Sequence, residues 1–407
     1  MSKVNYTSLE ANSKGFYGLM GILIAVILAG LGAAYYMEHN GHWVTGMNNQ
    51  IVWGTPHVFA IFLIVAASGA LNVASIGTVF GKAIYKPLGR MSSLLAISLL
   101  IGGLMVLVLD LGRPDRLIEA MTLYNFKSIF AWNIILYNGF IAITVVYIWF
   151  MMEKKMNKYY KAAGFVAFIW RLILTTGTGS IFGFLVARSA YDAAIMAPLF
   201  IALSFSLGMA CFILFLMATY KWSDKELGDA VINRLKNVLG IFVAAVFYFV
   251  LAYHLTNLYA TQHHGFERFI LAGPSGHTPL FWVGQMLIGT AAPLLIFYTK
   301  LGQSRTWIAI GAALVIIGGF AQLVTIIIGG QAYPMPIFPD MDVISSSFGD
   351  AAAYFTYTPS LPEIVLGFGG VAIAIIIFVF GCAVLRFLPT SLADNVADPH
   401  HKAESRA

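Results

Sequence analysis

A single short run alternates acids and bases: Asp110-Leu111-Gly112-Arg113-Pro114-Asp115-Arg116. It follows a long apolar stretch, and its Gly and Pro force a turn. Such a cluster can hold a fixed ion-pair network or pass protons, and residue physics alone favours the network. His57 stands just after Thr55-Pro56, and imidazole is the side chain whose ordinary titration lies nearest neutrality. Asn133 and Tyr137 share one helix face at i, i+4. Arg188, Tyr191 and Asp192 sit in a short connection. Arg171 lies ten residues after Lys161, so roughly 15 Å along a helix, and Thr175 and Thr178 continue its stripe at i+4 and i+7. A cation that deep in an apolar run is costly. It either bonds backbone carbonyls between helices or serves a function. Aromatic walls with a few hydrogen-bonding groups are what a quinone headgroup needs; each of these residues, taken singly, is equally consistent with packing.

Metal chemistry is poorly provided for. Cys211 and Cys382 are the only cysteines, both inside apolar runs. The chain therefore has no ligands for a Cys-bound iron–sulfur cluster or zinc ribbon, and no C-x-x-C-H for covalent haem. His57 and His254 are an alternative pair of haem ligands, but each b haem needs two on facing helices and no second pair exists. No metal site is expected.

The elements that must position these groups are membrane helices. Of 407 residues, 59% are hydrophobic and 10% charged, against about 25% charged in a soluble domain. Runs long enough to cross a bilayer are read near 16–36, 55–80, 91–109, 129–151, 162–187, 194–219, 238–260, 279–299, 306–329 and 363–387. The first is too long for a signal-peptide core and reads as a retained anchor. Of the 24 Lys and Arg, eighteen fall in the N-terminus, the even-numbered loops and the tail, and five in the odd-numbered loops. The positive-inside rule then puts both termini in the cytoplasm of a multi-pass inner-membrane protein. That distribution reads the net charge of +6 as orientation in lipid rather than as a nucleic-acid surface. Thr55-Pro56, Ala197-Pro198, Thr278-Pro279 and Pro362 open the inward helices, and Pro293 predicts a kink in the eighth. Seven of nine histidines, His39, His42, His57, His254, His263, His264 and His277, fall on the external side. The loop from Gly330 to Leu361 has no Lys or Arg and reads as a partner-docking segment or a plain cap. The tail after Leu388 reads as disordered.

At this point the residues resemble a known family. Leu109-Asp110-Leu111-Gly112-Arg113-Pro114 with Arg116, then Ser128 to Asn133 and Thr178-Gly179, look like the NrfD/PsrC family of polysulfide reductase membrane subunits. The Trp53-Gly54-Thr55-Pro56-His57 entry and the added C-terminal helix look most like its DsrP subgroup, from the DsrMKJOP complex of sulfur metabolism; the hydrogenase subgroup HybB is the nearest competitor. The resemblance implies an all-α integral membrane fold of about ten transmembrane helices, in two four-helix bundles with a flanking helix at each end. The expected segments are 1–54 (anchor helix and external loop), 55–193 (first bundle), 194–330 (second bundle) and 331–407 (external loop, last helix and tail). It implies a menaquinone or ubiquinone site near the external face of the first bundle, with nothing covalently bound. His57, Asp110 and Arg171 would act in proton or charge handling there. His57, Asp110, Arg113, Asn133, Tyr137, Thr178 and Arg188 would bind the quinone. It implies a periplasmic four-cluster ferredoxin-like iron–sulfur partner, with cytochrome and further membrane subunits. The second bundle has no counterpart of the Asp-Leu-Gly-Arg-Pro motif, so a second quinone site is not expected. Two rivals stand beside this reading: a secondary transporter, and a passive anchor without quinone chemistry.

Overall fold

The structure, a computed structural model, describes residues 4–334 and 356–397. Its helices are α1 (Lys14–Asn40), α2 (Thr55–Thr78), α3 (Gly89–Leu109), α4 (Leu117–Thr122), α5 (Ile129–Met152), α6 (Tyr160–Gly183), α7 (Met196–Trp222), α8 (Asp229–Tyr259), α9 (His264–Leu271), α10 (His277–Tyr298), α11 (Arg305–Ala332) and α12 (Leu361–Val384). All but α4 and α9 are long and apolar enough to cross a bilayer, which gives ten spans among the described residues. Helices suit such a chain because each satisfies its own backbone where no water can.

Two helices hold the rest together. α2 packs against α3, α6, α7 and α12, and α7 packs against α2, α6, α8 and α11. They meet at Gly69 and Gly208, where a Cβ on Gly208 would overlap the backbone of Gly69 and Ala70, and one on Gly69 the carbonyl of Ser204. Only glycine allows that approach. The helices at the chain ends lie together: α1 packs on α12, and α12 on α3 and α2.

Near the termini, β1 (Tyr6–Thr7) pairs antiparallel with β2 (Leu388–Pro389). Both chain ends therefore share one face, called here the terminal face; the opposite one is the distal face. The expectation of disorder after Leu388 fails for residues 388–397. Thr390 N donates to Asn5 O, and Asp394 Oδ1 accepts from Ala230 N at 2.9 Å. The reason is that the start of α8 has backbone N–H groups without helical partners, and a carboxylate satisfies them.

Some boundaries differ from the apolar runs. α8 starts nine residues before the run at 238, because charged Arg234 and Lys236 are good helix formers and apolar-run reading stops at them. Pro293 does not stand at an isolated bend. The turns before it, Leu280–Ala291, are π-helical, and α-helix resumes at Ala292. Proline's missing N–H removes a rung there, and the ladder shifts to the wider register. Most of the loop expected to dock a partner, residues 335–355, lies outside the described residues.

Candidate functional site

The start of α2 and the end of α3 meet at the distal face. Pro56 opens α2 at a position where its missing N–H costs nothing, and His57 follows one residue on. Asp110 caps the far end of α3. Its carboxylate sits against the negative end of its own helix dipole, an unfavourable place. The start of α2 and His57 offset this: His57 Nδ1 lies 3.0 Å from Asp110 Oδ2. Asp110 is buried, and its Oδ1 has no partner among the described residues. The pair fixes the ring and leaves His57 Nε2 unbonded among the described residues. An aromatic wall backs it, with the Trp53 ring stacked 5.8 Å from His57 and 6.3 Å from Tyr191, and Phe182 edge-on at 5.9 Å.

His57 opens onto a cavity of about 660 Å³, well inside the range of small-molecule sites. Its walls are mostly apolar, from α2, α3, α5 and α6, and α4 covers one side with Leu117 and Met121. Polar groups reach it at few points: His57, Arg113, Arg116, Asn133, Tyr137 and Asn138. Asn133 is held by its amide, which donates to Ile129 O at 2.9 Å and Gly177 O at 3.1 Å. The absence of a Cβ at Gly177 gives Asn133 and Leu136 their room. Tyr137 OH and Thr178 Oγ1 lie 3.3 Å apart, and Thr178 Oγ1 donates to Leu174 O at 3.0 Å. The arrangement can exchange a proton at His57 and hold a flat, partly polar ring against apolar walls.

The residues singled out from sequence separate into those this cavity unites and those it does not. His57, Arg113, Asn133 and Tyr137 line it; Asp110 and Thr178 stand directly behind the lining. Arg113 is largely exposed and forms a two-pronged pair with Asp115, at 3.0 and 3.1 Å. That bond holds Arg113 above its ordinary value and Asp115 below the usual carboxylate range, so the pair is lost as pH falls through the lowered Asp115 value.

Arg188 is elsewhere. It donates to Gln50 O at 2.9 Å and Gln331 O at 3.2 Å, tying the connection before α2 to the distal end of α11, and burial lowers its pKa. Arg171 is also apart, fully buried in the middle of α6. Its Nη2 donates to Asn72 Oδ1 at 2.8 Å, while Nε and Nη1 have no partner among the described residues. Phe168 and Phe205 face its guanidinium at 4.9 and 4.7 Å. One side of the stripe bonds across to α2, where Ser68 Oγ meets Thr175 Oγ1 at 2.6 Å.

Sequence reasoning placed Arg116 in the acid–base run but not among the quinone-binding residues, and it missed the α4 cover, which read as a loop because six residues are too few to show a period. It also missed Glu267, the partner of His254. A lone acid in an aromatic-rich segment thirteen residues after a histidine was the available signal.

Comparison with known proteins gives the family. The family described as "Polysulphide reductase, NrfD" matches residues 43–335, which hold α2 to α11 and every cavity residue named above. A protein of Archaeoglobus fulgidus, named as an Hdr-like menaquinol oxidoreductase integral membrane subunit, is 26% identical over 399 residues, 97% of this chain and 99% of that one. A Halobacterium salinarum protein named for the membrane subunit of a dimethyl sulfoxide reductase is 26% identical, covering 92% of each. A selenate reductase subunit of Mesobacillus selenatarsenatis is 22% identical over 88% of this chain and 91% of its own. With a family match over well more than half its length and the His57–Asp110 cavity inside that match, this chain belongs to the NrfD family of polysulfide reductase membrane proteins.

Proposed function

We propose that this chain is the quinone-interacting membrane subunit of a multisubunit oxidoreductase, passing electrons between the membrane quinone pool and an iron–sulfur partner. The observation that carries the reading is the cavity at His57 and Asp110, where a buried carboxylate orients an imidazole toward a space of about 660 Å³. The residues fit a quinone ring: apolar walls, one free imidazole nitrogen, and a few hydrogen-bonding side chains. The name of the Archaeoglobus relative, a menaquinol oxidoreductase subunit, favours menaquinone over ubiquinone.

Bound there, a quinol supplies two electrons and two protons. His57 Nε2 accepts a proton from a hydroxyl at that position, and Asp110 stabilises the imidazolium through Nδ1. Asn133, Tyr137 and Arg113 orient polar oxygens of the ring, with Thr178 positioning Tyr137. Apolar walls exclude water. Arg171 stays behind this machinery as a buried cation, and Arg188 braces the connections above it. Two buried cysteines cannot ligate an iron–sulfur cluster, so the electrons pass to a partner and the chain acts within a complex.

We further place the distal face in the periplasm and both termini in the cytoplasm of the inner membrane, as the Lys and Arg asymmetry directs. The partner is then a periplasmic ferredoxin-like iron–sulfur protein, with cytochrome and additional membrane subunits beside it. Dissimilatory sulfur metabolism is the process we assign, on the resemblance to the DsrP subgroup.

His57→Gln in the assembled complex tests the reading. Quinol oxidation should fall about 10²- to 10⁴-fold while the partner proteins still copurify. Full activity in that variant would remove the site as drawn.

A further inference from the structure

Helices α8 and α9 carry a second His–carboxylate pair. His254, near the distal end of α8, places Nδ1 2.7 Å from Glu267 Oε2 on α9. Asn257 Nδ2 donates to the other carboxylate oxygen at 2.8 Å. Glu267 is fully buried, and among the described residues no Lys or Arg pairs with it. A buried carboxylate is costly unless bonded and compensated, and here the compensation comes from histidine and amide alone. His254 keeps 13% of its side chain exposed and stands five residues before the distal end of α8.

Two small gaps continue inward from this pair. One of about 20 Å³ is bounded by His254, Gln285, Gln322 and Thr325; the next, about 10 Å³, by Gln285, Gln322, Ser206 and Thr290. Each has room for roughly one water. Gln285 and Gln322 belong to both, so the gaps share a wall. Gln322 Nε2 is a buried donor with no partner among the described residues. The helices that form this wall carry the π-helical stretches Leu280–Ala291 and Thr325–Gly329. Ser206 lies ten residues into α7, so about 15 Å below its distal end.

We propose that α7 to α11 enclose a hydrated proton-exchange site, in which His254 and Glu267 take up and release protons at the distal face and waters on Gln285, Gln322 and Thr290 carry them toward the bilayer centre. Each step moves one proton between a water oxygen and the carboxylate or imidazole, one O–H or N–H bond forming as another breaks, with no electron transferred. These gaps are far too small for a quinone ring. Titratable and charged groups on the surrounding elements are Tyr253, His263, His264, Arg268, His277 and Tyr333. Tyr253 OH donates to Ala190 O, His263 bonds Ser189 O and His264 bonds Leu258 O. Tyr191 and Arg188 lie beyond Tyr253 on the connection before α7.

The site is independent of the quinone reading, and its test needs no quinone. Infrared spectra of the purified chain, stepped through pH in H₂O and D₂O, should show a carboxyl C=O band that grows as pH falls. That band should shift on deuteration and be lost in Glu267→Gln. A Glu267 band that is absent at every pH, or that does not exchange with D₂O, would overturn the proposal. Should Glu267→Gln not fold, hydroxyl-radical labelling by X-ray radiolysis decides. Thr290 and Met196 should be labelled in the parent chain and several-fold less in Gln322→Leu; no labelling in the parent sinks the hydrated path.

Discussion

Asp110 and Arg171 are both buried and charged in kind, yet their surroundings assign them different work. Asp110 has a histidine at 3.0 Å and a second oxygen without a partner among the described residues. Replacing it with Asn keeps the shape and one hydrogen bond but removes the charge that stabilises an imidazolium. Asp110→Asn should therefore slow quinol oxidation by about 10²-fold or more, chiefly in kcat, and an unchanged kcat across pH would refute the pairing's role. Arg171 is held by one side-chain acceptor, Asn72, and by two rings. Asn72→Leu takes that acceptor away and should cost about 1.5–3 kcal/mol in SDS-induced unfolding, the range for hydrogen bonds to charged groups. Arg171→Met, by contrast, replaces a poorly satisfied buried cation with an apolar chain and should unfold no more easily than the parent. Because Arg171 does not line the cavity, that variant should also bind a quinone analogue with unchanged affinity. A marked loss of affinity would bring Arg171 back into the site.

At the scale of elements, what was legible in sequence is what depends on one helix at a time. Apolar runs located all ten spans, and Asn133 and Tyr137 shared a face because spacing alone dictates it. Pairings across helices were not legible. His57 and Asp110 are 53 residues apart, and each could be noticed separately while their contact depends on how α2 and α3 pack. Glu267 went unnoticed for the same reason, since its meaning comes from His254 on another helix. Arg188 had the opposite fate: it looked like a site residue because it is charged beside the fifth span, but the backbone carbonyls that claim it, Gln50 before α2 and Gln331 at the end of α11, lie far along the chain. Helix crossings make a prediction of their own. Gly208→Val would drive a branched side chain into Gly69 and Ala70 and should cost at least about 1–3 kcal/mol as overpacking. Gly21→Val on α1, where no atom stands within 4 Å, should leave unfolding unchanged. Equal behaviour of the two would mean that the close α2–α7 contact does not hold the fold together.

For the whole molecule, the two His–carboxylate pairs stand at the same end. His57–Asp110 lies where α2 begins and α3 ends, while His254–Glu267 lies where α8 ends and α9 begins. α2 therefore runs away from the distal face and α8 toward it. The paired strands β1 and β2 put both chain ends at the other face. The candidate site is thus on one side and the excess of Lys and Arg on the other, which with the positive-inside rule is the ground for the cytoplasmic placement proposed above for the charged side. This orientation decides which compartment receives protons released at His57. It predicts that single cysteines placed at Asn48 or Gln262 in a cysteine-free background react with a membrane-impermeant maleimide added to intact cells. Cysteines at Ser223 or Lys154 should react only after the membrane is opened. The reverse pattern would put the cavity on the cytoplasmic side, and with it the iron–sulfur partner and the released protons. The cavity's residues would still stand as a quinone site, but the electron acceptor would have to be sought in the cytoplasm.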